Sequence, residues 1–296
     1  MYFNIYLKKY ALHIICFLFL CIIGFAVAFA KILPKSTVEN SSMQEDSIEV
    51  PLIMYHGLIK EQKLQNKFMI SPDLFDSDLR YLKDNGYTTI FVKDLIDYVY
   101  NDIPLPPKPI MLTFDDGYYN NYLYAFPLLK KYDSKMVLAP IGKCTEQYSK
   151  IDERNAAYSH VTWNDICEMV DSGLVEIQNH SYNLHSNNKS RIGSKKMKSE
   201  SNSDYKKTLV KDLSKMQDEI TKHTKTTPTA FVYPFGAVSD ISVEILKEIG
   251  FKATFICENK MNKISKDPDC LFGLCRFIRT NKVSSKEFFN KILTLS

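Results

Sequence analysis

The chain predicts an α/β fold with a mainly parallel sheet. Short apolar strands alternate with capped helices along its length, and three of those strands stop abruptly in polar or Gly/Pro-containing residues. No internal repeat stands out. Residues 50–55 form the first strand, which runs into His56-Gly57. Ser71-Pro72-Asp73 opens a helix, with serine as cap and proline in the first turn; Leu74, Leu79 and Leu82 line one face and Gly86 ends it. Residues 88–92 read as a strand, and the apolar run 109–112 as another. A helix over 122–132 and a strand over 135–141 follow. Thr162-Trp163-Asn164-Asp165 resembles a capping box opening a helix that stops near Gly173. Residues 209–223 form a further helix with His223 facing solvent, and 242–249 a last one closed by Gly250 before the strand 251–257.

Composition suits a single sizeable enzyme domain. The 296 residues are 45% hydrophobic and 24% charged, enough to bury one large core. A net charge of +4 is too small to argue for nucleic acid. Eighteen Tyr and eighteen Phe give aromatic faces that suit sugar rings, although strands also favour these residues.

The chemistry concentrates in Thr113-Phe114-Asp115-Asp116-Gly117, where a buried strand turns into a loop. Successive side chains alternate faces along a strand, so both acids can serve one site only where regular geometry breaks; Gly117 allows that break. Parallel sheets present their active sites at this carboxyl end. Two adjacent carboxylates raise each other's pKa unless a cation sits between them. The pair therefore calls for a metal.

Further ligands stand about 65 residues on, in Glu176-Ile177-Gln178-Asn179-His180-Ser181-Tyr182-Asn183-Leu184-His185. Alone, His180 and His185 would be ordinary loop histidines. With an aspartate they make a hydrolytic site that leaves positions open for water and substrate. Phe231-Val232-Tyr233-Pro234-Phe235-Gly236 repeats the pattern of a strand ending in Pro and Gly, which makes Tyr233, Pro234, Phe235 and Gly236 a third, substrate-facing wall.

In these motifs and their order, from Pro51-Leu52-Ile53-Met54-Tyr55-His56-Gly57 onward, the chain resembles the polysaccharide deacetylases, the NodB-homology group or carbohydrate esterase family 4, over about residues 51–280. The resemblance implies a distorted (β/α) barrel of about seven strand-helix units. It implies Asp115 as catalytic base, and Asp116, His180 and His185 as ligands of one divalent metal. Zinc is the first expectation, with cobalt, nickel or iron suited to the same donors. His180 and His185 are spaced more widely than in the common His-Thr/Ser-x-x-His form, and this spacing is similar to that of the branch acting on poly-N-acetylglucosamine. Peptidoglycan or chitin-like oligomers, O-acetylated xylan, and carbohydrate binding without catalysis are the alternatives.

Two family features are missing. The arginine often found two residues before the third-motif proline is Val232 here. The late Leu-x-x-x-His segment that carries the general acid is also absent, since the last histidine is His223. Some exopolysaccharide deacetylases are permuted so that an early histidine fills that place. His56 is then the candidate acid; a structural histidine at a barrel-mouth loop is the alternative.

The amino end bears on location. Residues 11–30 are long and apolar enough to span a bilayer, with Lys8 and Lys9 before them and Lys31 after. This predicts a cytoplasmic stretch 1–10, a single-pass signal anchor 11–30, a flexible stem 31–49 and an extracellular catalytic domain 50–296, monomeric and tethered to the membrane. Cleavage after Ala28 or Ala30 would instead release the enzyme. The stretch 186–207 is polar and basic, and reads as a solvated insertion or as an overhang on the cleft.

Overall fold

The computed structural model describes residues 47–188 and 190–293. The proposed cytoplasmic stretch, the apolar segment 11–30 and most of the stem lie outside them. Among the described residues, no helix is long and apolar enough to cross a membrane.

Parallel strands curl around one interior. The central one is β6 (Pro109–Asp116), buried at every position, with β2 (Leu52–Tyr55) on one side and β7 (Met136–Pro140) on the other. The order β13-β2-β6-β7-β8, with β8 at Val175–Ile177 and β13 at Phe277–Ile278, is parallel throughout. A parallel bridge from Asn179 to Phe231 carries the ring on to β9 (Ala230–Val232), β10 (Ala253–Phe255) and β12 (Phe272–Leu274). Since β12 and β13 are consecutive in the chain, Cys275 and Arg276 form the seam where the barrel closes. The shorter β1 (Ile48–Val50) pairs antiparallel with β11 (Asn262–Ile264), so Ile48 and Glu49, read as the end of the stem, belong to a strand of this domain. β3 (Gly57–Leu58) and β4 (Met69–Ile70) make a small parallel pair beside the mouth, and β5 (Thr88–Thr89) pairs with the start of β6.

Alternation along β6 sorts the core. Ile110, Leu112 and Phe114 pack outward against helices, while Met111 joins Leu52, Val137, Val232 and Phe255 in the barrel interior. The outer layer contains α1 (Pro72–Asp84), capped by Ser71 Oγ as its sequence predicts, and α5 (Trp163–Asp171), with the Thr162/Asp165 capping box formed.

Some elements differ from the expectation. Strand β5 ends at Thr89, and Val92 opens α2 (Val92–Asn101). Its Val-, Ile- and Tyr-rich sequence favours strand locally, but the carboxylate of Glu176 on β8 accepts the Val92 and Lys93 N–H groups at 2.7 and 3.2 Å and anchors the helix start. The helix after the first motif begins as a π-turn (Asn121–Ala125) before α3 (Phe126–Tyr132). Next come α4 (Gly142–Ile151) and the long α6 (Asn202–Thr224), which takes in Lys206 and Lys207 of the presumed insertion. His223 on α6 is half-buried, with one face of its ring stacked on Trp163 at 4.6 Å. The rest of the basic segment is pinned: Arg191 pairs with Glu200 at 2.7 Å, Tyr205 donates to the Ser194 carbonyl, and Lys196 N–H donates to Ser239 Oγ. Two helices complete the chain, α7 (Ser242–Glu248) and α8 (Ser285–Leu293).

Candidate active site

Strand alternation alone puts Asp115 in the barrel interior, in line with Met111 and Thr113, and would turn Asp116 outward. The chain breaks that rule at Asp116 itself, whose φ is +67°, followed by Gly117 at +69°. This turn brings the second carboxylate round to the same mouth. A side chain at Gly117 would put its Cβ 2.6 Å from Pro140 Cβ, so only glycine fits beside β7. His160 steadies the turn from behind, its Nδ1–H donating to the Asp116 carbonyl at 3.0 Å.

His180 follows β8 and is almost fully buried. Its Nδ1–H donates to the Val232 carbonyl at 2.7 Å, which fixes the ring and points Nε2 at Asp116. The chain then loops out through Ser181, at φ +73°, before returning with His185. Asp212 on α6 holds that loop by accepting the Tyr182 and Asn183 N–H groups at 2.8 and 2.9 Å. The wider histidine spacing is thus accommodated by a carboxylate from a distant helix.

Asp116 Oδ1 lies 3.4 Å from His180 Nε2 and 3.1 Å from His185 Nε2. One ligand atom from each of the three residues falls within 4.8 Å of the others. One carboxylate and two imidazoles, the buried ring fixed by a backbone carbonyl, fit a divalent cation of the zinc type. Burial would raise the Asp116 carboxyl, but hydrogen bonds from both histidines hold it well below the ordinary carboxylate value.

Asp115 has a different partner. Arg276 from the barrel seam forms a bidentate pair with it, Nη1 to Oδ1 at 2.6 Å and Nη2 to Oδ2 at 2.9 Å. Both side chains are buried, and Arg276 Nη1 also donates to Thr113 Oγ1. Burial pushes the Asp115 carboxyl up; the Arg276 charge, with that of His180, outweighs this and holds it below the ordinary value. Sequence reasoning missed Arg276. The available signal was an arginine inside the apolar run Phe272-Gly273-Leu274-Cys275-Arg276-Phe277-Ile278, where a charge needs a buried partner.

These groups line a cleft of about 460 Å³ that also takes in His56, Phe68, Tyr118, Cys257 and Ile278. His56 stands at the end of β2, where the sequence puts it. Its Nδ1 is buried without a hydrogen-bond partner, and burial lowers its pKa against the raising effect of Asp115 and Asp116. Of the expected substrate wall, Phe235 alone reaches the cleft. Tyr233 is buried among the residues behind it, with its hydroxyl on Ser242 Oγ at 2.7 Å; Pro234 is buried too, and Gly236 packs against Cys257. The strand end gives this wall one outward ring, and φ of +58° at Phe235 aims it.

The polysaccharide deacetylase model matches residues 102–254, about half of the chain, and this span includes Asp115, Asp116, both histidines and the Phe235 turn. The chain belongs to the polysaccharide deacetylase family. His56 and Arg276 lie outside the matched segment. The chain is 26% identical over 261 residues to the poly-beta-1,6-N-acetyl-D-glucosamine N-deacetylase of Escherichia coli (strain K12), a match that covers 82% of this chain but 38% of that protein. The protein of the same name from Staphylococcus aureus (strain MSSA476) is 25% identical, with 77% and 83% of the two chains covered. Among solved structures, a de-N-acetylase from Aggregatibacter actinomycetemcomitans superposes with a TM-score of 0.70 at 29% identity, covering 82% of this chain and 99% of that one.

Proposed function

We propose that the protein is a metal-dependent de-N-acetylase that removes acetyl groups from N-acetylglucosamine units of a surface polysaccharide, poly-N-acetylglucosamine in the first instance. The observation that carries this reading is the Asp116/His180/His185 cluster beside a buried, arginine-paired Asp115 in one cleft. The names of the relatives support the substrate class.

A divalent ion on the three ligands would supply Lewis-acid polarisation of the amide carbonyl and lower the pKa of water; zinc is the proposed metal. Asp115 accepts the proton of the attacking water, kept ionised for that purpose by Arg276. Arg276 also fixes the direction of the carboxylate, because its planar fork engages both oxygens. Phe235 and the other apolar walls exclude bulk water and strengthen the electrostatics. His56 gives a proton to the leaving amine, which is a very poor leaving group otherwise. The products are acetate and a free amine that is cationic at neutral pH.

The reading as a binding protein without catalysis rests on two missing features, the third-motif arginine and the late histidine; Arg276 meets Asp115 where the first is missing, which favours a working enzyme. Anchoring through 11–30, an extracellular location and a monomeric state complete the proposal and stand on the sequence. The test is acetate release from N-acetylglucosamine oligomers after metal reconstitution. Metal-dependent release is expected. No release from these oligomers by metal-loaded protein, with release from peptidoglycan fragments or O-acetylated xylan, would replace the substrate; no release and no metal binding would sink the enzymatic reading.

A further inference from the structure

Two large aromatic rings stand exposed at the cleft, Phe68 at 39% and Phe235 at 47%, and both line the same cavity as the catalytic carboxylates. Each lies against a site histidine: Phe68 is 4.7 Å from the His56 ring and Phe235 is 4.5 Å from the His185 ring. They come from different walls of the barrel mouth, one beside β2 and the other at the end of β9. Exposed apolar surface that lines a polar site marks a ligand-contacting face.

Local structure fixes both rings at a cost. Phe235 holds a left-handed backbone, with φ of +58°, a conformation that a bulky residue adopts only where the surroundings enforce it. Phe68 is placed by the β3/β4 pair. Gly57 N–H donates to the Phe68 carbonyl at 3.1 Å, while Asn66 Oδ1 accepts the Phe68 and Met69 N–H groups at 2.8 and 3.1 Å. A Cβ at Gly57 would stand 2.4 Å from Met69 Sδ, so a side chain there would have to push aside the thioether of the residue next to Phe68. The exposed Lys67 ammonium also lies over the Phe68 ring, 4.6 Å from its centroid, an interaction weak enough in water to be displaced.

We propose that Phe68 and Phe235 form a two-walled aromatic clamp that selects a pyranose with all ring substituents equatorial, with Phe68 as the specificity-determining wall. A β-linked glucosamine unit presents only axial C–H groups on both ring faces, so each face can lie on an aromatic ring without burying a hydroxyl. The galacto isomer carries an axial O4, which would be pressed unpaired against one wall. This inference rests on the de-N-acetylase reading and adds to it the sugar configuration and a residue that no sequence motif marks.

The test compares the full-length chain in detergent with Phe68→Ala, Phe68→Leu and Phe68→Trp, using oligomers of N-acetylglucosamine and of N-acetylgalactosamine. Phe68→Ala is expected to raise KM for the gluco series about tenfold, change kcat less than about twofold and narrow the gluco/galacto ratio. Phe68→Leu, which keeps the apolar bulk and guards against a folding artefact, should show the same loss; Phe68→Trp should recover it. An unchanged KM overturns the clamp, as does a fall in kcat at constant KM, which would make Phe68 a shield for His56. Calorimetric binding of the same oligomers to Asp115→Asn, alone and with Phe68→Ala, reads the clamp without turnover. Weaker binding in the double variant supports it even where the wild type releases no acetate, and equal binding refutes it.

Discussion

Replacing Arg276 by methionine removes one charge from a buried pair and leaves the other behind. Among the described residues, these two contacts of 2.6 and 2.9 Å are the ion pair of Asp115, and both side chains are excluded from solvent. Removing one partner of such a pair costs about 3–5 kcal/mol while the remaining charge persists. Asp115 escapes part of that cost by taking up a proton, because burial then acts on its carboxyl with its main opponent gone. The sign is definite. In the wild type the lowered pKa contributes stability above the unfolded carboxylate value, and this is lost as pH falls. In the variant the folded pKa is raised, so the wild-type advantage widens as pH rises through the carboxylate range and shrinks in acid. Activity should drop about 10²- to 10⁴-fold at pH 7, the share of a positioned general base, and recover in part at higher pH. Arg276→Lys keeps the charge without the fork and should fall between. Urea melts and acetate release from pH 4 to 9 would measure both effects, roughly spanning the titration of a buried carboxyl. An acid limb of kcat/KM at the wild-type position would refute the claim that Arg276 keeps the base ionised.

The remaining predictions concern other groups of the same barrel. Asp116→Ala should lose metal and activity together, whereas Asp115→Asn should keep metal and lose turnover; metal analysis beside acetate release checks this, and the opposite pattern would exchange the two roles. If His56 is the acid, kcat/KM should decline as pH rises past a value below the ordinary 6.5 or so, since burial lowers its pKa, and His56→Gln should abolish that limb. A profile unchanged by His56→Gln would leave His56 structural. Burial raises the Glu176 carboxyl to about 7 despite the two α2 N–H groups it accepts. Its folded pKa lies above the unfolded one, so stability should fall by up to about 3 kcal/mol as pH climbs from roughly 4.5 to 7. Denaturant melts of Glu176→Gln should lack that slope; an equal slope would assign it elsewhere.

The fold was legible where local and global preferences agreed. Ser71 and Thr162 cap helices that the sequence marks at both ends, and the Pro109 run becomes the central strand because every position in it is buried. Helix α2 was hidden because Val92, Ile96 and Val99 favour strand on their own, and what starts the helix is Glu176, far away in sequence. The basic segment was legible in its side chains and not in its backbone. Its lysines look like a solvated loop, while its backbone is held by Arg191–Glu200, Tyr205 and Ser239, contacts that composition does not contain.

At the site, motif residues with a short-range geometric signature were visible and their partners were not. Asp115 and Asp116 end a strand, His180 follows one closely and His185 comes back on the loop beyond it, and the sequence places all four at one mouth. Arg276 gave no such sign, because a buried arginine is informative only once its carboxylate is known. Yet the expectation of an arginine near the third motif had a physical content: something must oppose the burial of Asp115, or the base would be neutral when it is needed. That requirement fixes a charge and a direction without fixing a chain position. The barrel mouth is a ring, so a guanidinium can approach the same carboxylate from β9 or from the seam between β12 and β13. Here Val232 on β9 points into an apolar interior and the seam supplies the cation. The absence of the arginine from its usual motif therefore does not leave Asp115 unpaired in the barrel, and by itself gives no reason to read the site as inactive.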